Sequence, residues 1–389
     1  MISSTIKRTP GLSVFALGFR PFFLLAALGG SSLMLIWLLI LNGHLFAPGI
    51  IDPLQWHRHE MLFGYTGAVV AGFLLTAVRR WTGQSTPDGW PLALLALVWL
   101  AARLTPLLIN LPWLYIGLDL AFWIGLFLAL WNALSRAETR NRIFLLLVAL
   151  LGGAAAISHA PAFGSVSPWL SHLGAHLGLD LLVIIMLVMG GRVIPFFIQM
   201  GLQRQPFNQY SWLTRPLPVL LALMLLVDLL LPLSIWSGLV NLLLACWILP
   251  NLLLWHDTRL WKNPLLWSLY LAYAWLVIGL FMRGMGMLEL INPYLGIHAL
   301  TTGGIGLLTL SMMSRVGLGH TGRPLKTSAL IQLALLLMLS AGIVRVFMSS
   351  WMGILAYQVS AVLWSSALLL YLLVFLPILT RPRPDGQPG

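Results

Sequence analysis

The chain has 389 residues, of which 59% are apolar and 8% charged, with a net charge of +12 and a mean hydropathy of +0.92. A water-facing domain carries roughly a quarter charged residues, so this composition excludes a soluble globular protein and makes the bilayer the solvent. The positive charge needs no nucleic-acid partner, because the cytoplasmic loops of membrane proteins collect Lys and Arg. The single cysteine, Cys246, excludes an intrachain disulfide, a CxxCH haem attachment and a cysteine-ligated iron–sulfur cluster. Any haem is therefore held non-covalently.

Apolar runs near twenty residues read as membrane-spanning helices. They fall at about 22–41, 53–78, 91–108, 113–134, 143–157, 169–189, 217–231, 236–255, 265–281, 294–313, 329–346 and 351–379. The first follows Lys7, Arg8 and Arg20 and is too long for a signal-peptide core, so it reads as a retained helix. The fold class is thus an all-α polytopic membrane protein: one transmembrane domain over 1–380 and a short cytoplasmic tail over 381–389. With the N-terminus inside, 18 of the 22 Lys and Arg residues fall on the inner side; only Arg58, Arg103, Arg283 and Arg345 fall on the outer half. That bias predicts both termini in the cytoplasm.

The same map sorts the histidines. His44, His57, His59, His159, His172, His176 and His298 fall at or near outer helix ends, beside Glu60, Asp119, Asp180, Asp228 and Glu289. His256 and His320 fall inside. Ionisable groups at membrane depth are costly and normally face a partner or a task. Singly, each could cap a helix or sit at the headgroups; as a one-sided group they mark a site.

The second helix opens Asp52-Pro53-Leu54-Gln55, a capping sequence with proline at the first helical position. His57 and His59 then point about 200° apart, so they can hardly share one ion, whereas His57 and Glu60 share a face. The sixth helix stacks His172, His176 and Asp180 at i, i+4, i+8 on one stripe. Two imidazoles one turn apart can chelate a metal ion, with Asp180 as a deeper ligand, orienter or proton group. The bland alternative pairs Asp180 with Arg103 or Arg345. Ahead of the tenth helix lie Met282, Arg283, Met285 and Met287; thioethers suit Cu(I), although packing is their commoner role, and Arg283 suits a haem propionate. The tenth helix begins near His298 and carries Gly303, Gly304 and Gly306, which permit close approach of a helix or a flat cofactor. Arg315 to Lys326 reads as an inner loop, with His320 structural or regulatory.

A weak repeat links these helices. Helices two, six and ten each begin with His and reach Arg79, Arg192 or Arg315 near the inner end. Gly64, Thr82 and Gly83 follow His59 at the offsets at which Gly303, Thr321 and Gly322 follow His298. Three four-helix units are the simplest reading.

The segments LGFRPFF (17–23), WHRHEMLFGYTGAVVAGFLLTAVRRWTGQ (56–84), GGRVIPFF (190–197) and HALTTGGIGLLTLSMMSRVGLGHTGRPL (298–325) resemble the NnrS family of bacterial inner-membrane proteins. The resemblance implies haem, copper and a response to nitric oxide. A more distant similarity is to haem–copper oxidases and nitric oxide reductases, with twelve helices in three units. It implies His59 and His298 as axial ligands of a b-type haem and His172 and His176 as copper ligands. This sequence departs from that pattern: it has no adjacent His-His pair in helix seven, and one outer His rather than two in helix ten.

The expectation is a haem- and copper-binding inner-membrane protein that handles nitric oxide near the periplasmic face. His57, His59, His298, Arg58 and Arg283 would hold the cofactor, and His172, His176, His59 and His298 the metals. Asp180 and Glu60 would supply protons, and an electron donor would be needed. The alternative is a proton-coupled transporter or metal permease using the same residues, which predicts twofold rather than threefold symmetry.

Overall fold

Residues 10–45, 52–163, 168–207 and 210–387 are described by a computed structural model; Lys7 and Arg8 lie outside them. Among the described residues, twelve helices are long and apolar enough to cross a membrane. They are α1 (Phe19–Leu41), α2 (Pro53–Thr82), α3 (Gly89–Leu108), α4 (Pro112–Leu134), α5 (Thr139–Ser158), α6 (Trp169–Leu202), α7 (Ser211–Leu230), α8 (Ile235–Trp255), α9 (Pro264–Met287), α10 (Pro293–His320), α11 (Ala329–Met352) and α12 (Ile354–Thr380). No strand occurs among the described residues.

Two helices outrun their sequence-based bounds. α6 continues past Met189 through Gly190, Gly191 and Pro195 to Leu202. Arg192 is tolerated there because its guanidinium lies over the Phe144 ring and reaches the Arg140 carbonyl. α10 continues through Arg315 to His320, so the first part of the expected inner loop is helical. Arg315 stacks on Phe197, 4.1 Å from its centroid, and Gly317 packs where a Cβ would stand 2.6 Å from the Phe375 ring. Glycine is used here for close packing.

The matched offsets of α2 and α10 have structural counterparts, which α6 does not share. Asp52 caps α2 by accepting from the Leu54 and Gln55 amides, and Asn292 caps α10 by accepting from the Tyr294 amide, each followed by proline. Both helices widen to π-helical winding directly after their histidine, over Glu60–Thr66 and Ala299–Gly306. Such insertions concentrate at functional sites. Thr82 and Thr321 each donate back to the carbonyl four residues earlier, and Gly83 and Gly322 close the helices with φ of +69° and +70°. That left-handed geometry favours glycine.

α2, α6 and α10 meet along one crevice. Val69, Val70 and Phe73 follow His59 by 10, 11 and 14 residues, as Leu308, Thr309 and Met312 follow His298, and all six line one apolar crevice of about 60 Å³. α6 lines it with Ile185, Met186 and Met189. By these offsets the α6 counterpart of His59 and His298 is Ala175, not His172 or His176. Tyr65 and Thr309 join α2 to α10 by a 2.6 Å hydroxyl contact. The first and last spans also pack together: the Trp364 indole donates to the Gly30 carbonyl at 3.1 Å.

Candidate metal centre

The ends of α2, α4 and α5 bring together three buried side chains far apart in sequence. Ligand atoms of His59, Asp119 and His159 all lie within 4.8 Å of one another, and each residue is 2% exposed or less. His159 Nε2 is 3.1 Å and His59 Nε2 3.2 Å from the same oxygen, Asp119 Oδ2.

The surroundings of His59 favour one tautomer. The Ser158 hydroxyl lies 2.7 Å from both the Ala155 carbonyl and His59 Nδ1. With its one proton on the carbonyl, it accepts from Nδ1–H. In that tautomer Nε2 is a bare lone pair 3.2 Å from Asp119 Oδ2, with no aligned hydrogen-bond partner. Two lone pairs at this distance repel unless a cation lies between them. Donor atoms about 3 Å apart are the edge of a coordination sphere whose metal–ligand bonds are about 2.0–2.2 Å. Ser158 does for His59 what an outer-shell acceptor does for a metal-bound histidine.

The rest of the pocket polarises Asp119. Its Oδ1 accepts from Arg103, whose Nε stands 3.3 Å from Glu60 Oε2; Tyr115 donates to Glu60 Oε1 at 2.8 Å. One guanidinium thus sits between two carboxylates, all buried. With both carboxyl groups ionised the formal charge of this triad is −1, which favours a cation at the two imidazoles.

A family model described as NnrS protein matches residues 13–383. The chain belongs to the NnrS family. No curated protein matches it.

The remaining site residues of this NnrS chain fall into two further groups. At the far side of the bundle Arg283 bonds both Asp180 and Asp228, and Ser237 donates to Asp228. Asp180 is therefore paired, but with Arg283 rather than Arg103 or Arg345, and Arg283 is enclosed by carboxylates. Met287 Sδ lies 2.8 Å from the Ser237 hydroxyl.

The third group is cationic. His298 donates through Nδ1 to the Tyr294 carbonyl, leaving Nε2 to accept from Arg345 at 3.0 Å. Arg345 stands over the Tyr357 ring. His57 stacks on Trp37 with ring centroids 4.4 Å apart and lies within electrostatic range of His298, Arg345 and Arg58. Arg58 contacts His172 Nδ1 at 2.7 Å, and His176 Nδ1 bonds the His172 carbonyl. Among the described residues, no carboxylate lies within ion-pair distance of Arg58 or Arg345.

Sequence reasoning placed His59 and Glu60 in a site but gave no role to His159 and left Asp119 among bystanders. The available signal was Arg103 and Asp119, opposite charges on successive apolar helices with no local partner.

Proposed function

We propose that this protein is a metal-dependent nitric oxide-responsive membrane protein whose metal is bound by His59, His159 and Asp119. The observation that carries the reading is the convergence of buried His59, His159 and Asp119 ligand atoms within 4.8 Å, with His59 Nε2 lacking a hydrogen-bond partner. Two imidazoles and one carboxylate suit copper or non-haem iron and leave coordination positions for a diatomic ligand. Such a metal supplies an electron-rich centre that nitric oxide can bind. The chain's own residues keep that centre dry and charge-balanced. Arg103 holds Asp119, Ser158 holds His59, and Tyr115 closes the pocket edge-on against His159.

The third group supplies what a b-type haem asks of a protein. His298 anchors Nδ1–H on a carbonyl, as an axial ligand requires, and its Nε2 would become free to bind iron once Arg345 turned from it to a propionate. Arg58 and Arg345, with no carboxylate within ion-pair distance among the described residues, match two propionates. We place the haem there, with His57 and Trp37 beside it, and the sites on the periplasmic side of the bacterial inner membrane, where the positive-inside bias puts the histidines.

The test is metal and haem quantification with nitric oxide titration of reduced, detergent-purified protein. The expected result is one metal ion per chain, lost in His59→Ala and His159→Ala, haem lost in His298→Ala, and spectra that change with nitric oxide. Protein that stays colourless and metal-free after expression with ample haem, copper and iron overturns the reading and favours a transporter.

A further inference from the structure

The group formed by α6, α7, α8 and α9 is chemically distinct from the metal centre, and no cofactor is needed to see its imbalance. Two carboxyl groups, Asp180 and Asp228, face one guanidinium, Arg283, and all three are nearly fully buried. Arg283 uses one terminal nitrogen on each carboxyl group, and Ser237 fills the remaining oxygen of Asp228. Asp180 Oδ2 is left with no donor. Arg283 holds the two carboxyl groups side by side, one on each terminal nitrogen. Two buried carboxylates facing one cation leave one negative charge uncompensated, which favours a proton on the pair. A proton on Asp180 Oδ2, the oxygen without a donor, brings the buried charge from −1 to zero.

The same helix provides a route to that proton. His172, His176 and Asp180 form one stripe of α6, with His172 exposed at the histidine end of the bundle. His176 keeps its Nδ1 proton on the His172 carbonyl, so Nε2 is the lone pair that can take a proton. One turn, about 6 Å of rise, separates each step, a span one water bridges. The polar groups around the pair are Arg283 and Met287 from α9, Asp228 from α7, Ser237 from α8 and His176 on α6 itself, with Arg58 of α2 acting on His176.

We propose that the Asp180–Arg283–Asp228 triad binds one exchangeable proton on its pair of carboxyl groups and loads it from the histidine end of the bundle through His172 and His176. In loading, the Nε2–H bond of a protonated His176 breaks, an O–H bond forms on Asp180 and the imidazole returns to neutral. No electron moves. The inference goes beyond the metal reading and stands whether or not His59 binds a metal.

The test is infrared difference spectroscopy on the full-length protein in detergent, without nitric oxide. Wild type should show a protonated-carboxyl C=O band that shifts in D2O and is lost in Asp180→Asn and equally in Asp228→Asn, since either variant leaves one carboxylate per guanidinium. Two independent variants keep the test decisive if one does not fold. His176→Leu should retain the band and slow its hydrogen–deuterium exchange at least about tenfold. A band unchanged in both aspartate variants overturns the shared proton. A band lost in both but exchanging at the wild-type rate in His176→Leu overturns the route.

Discussion

Replacing Asp119 by asparagine separates a metal site from a merely polar pocket. In the metal-free pocket the substitution is mild. Arg103 keeps Glu60 as its counter-ion, the net charge moves from −1 to zero, and the new amide can donate to the His59 Nε2 lone pair. Breaking a buried ion pair usually costs about 3–5 kcal/mol because a charge is stranded; here none is, so the metal-free variant should melt no lower than wild type. With metal the sign reverses. Losing one of three ligands should weaken binding by at least about 100-fold, about 2.7 kcal/mol at about 1.4 kcal/mol per tenfold. A ligand present at 100 times its Kd stabilises the folded state by about that amount. Thermal melts of both proteins across a copper or iron(II) titration give the answer. Wild type should rise with metal and Asp119→Asn should not. Parallel shifts in the two proteins would refute the reasoning, and so would a metal-free variant that melts far below wild type.

Three further outcomes are expected. Ser158→Ala removes the acceptor that fixes the His59 tautomer and should lower metal affinity about 10–100-fold while leaving the metal-free melt nearly unchanged, as measured by competition with a chelator. Gly174→Ala would put a Cβ 2.5 Å from the Ser158 amide nitrogen and 2.7 Å from the Ala154 carbonyl, pushing α5 from α6 at the cost of about 1–3 kcal/mol. Gly153→Ala meets nothing within 4 Å and should cost under about 0.5 kcal/mol; equal melting temperatures for the two would contradict the close approach. In the loop between α8 and α9, hydrogen bonds from Arg259 hold the Asp257 carboxyl down at about 2. A depressed carboxyl contributes stability above its unfolded value, roughly 3.9, and loses it as pH falls towards 2. The small melting difference between wild type and Asp257→Asn should therefore be present at neutral pH and vanish in acid.

Much of the fold was legible because the bilayer imposes one rule, that a span must be long and apolar. The errors arose where glycine, proline and arginine punctuate a helix without ending it. At Gly190–Pro195 and at Arg315–His320 the signals that end a soluble helix were overridden by aromatic partners on other helices, Phe144 and Phe197. The π-helical stretches after His59 and His298 had no sequence signature beyond the matched glycine offsets. For the site, periodicity pointed to residues on one helix, and so to His172 and His176. The three donors that converge lie 40 and 60 residues apart along the chain, on α2, on α4 and just past α5, and only packing joins them. His159 was hidden because a histidine just past a helix end, before Ala160 and Pro161, reads as an interfacial residue. A carboxyl group at the depth of Asp180 needs a partner, and Arg283 is that partner. Which arginine answered it depended on the α6–α9 contact, which no local pattern encodes.

The most direct test of the account is X-ray absorption spectroscopy at the metal edge of the purified protein, wild type beside His159→Ala. The account predicts a nitrogen- and oxygen-ligated ion with two imidazoles in wild type, and loss of the ion or of one imidazole in the variant. An identical coordination shell in both proteins would contradict it.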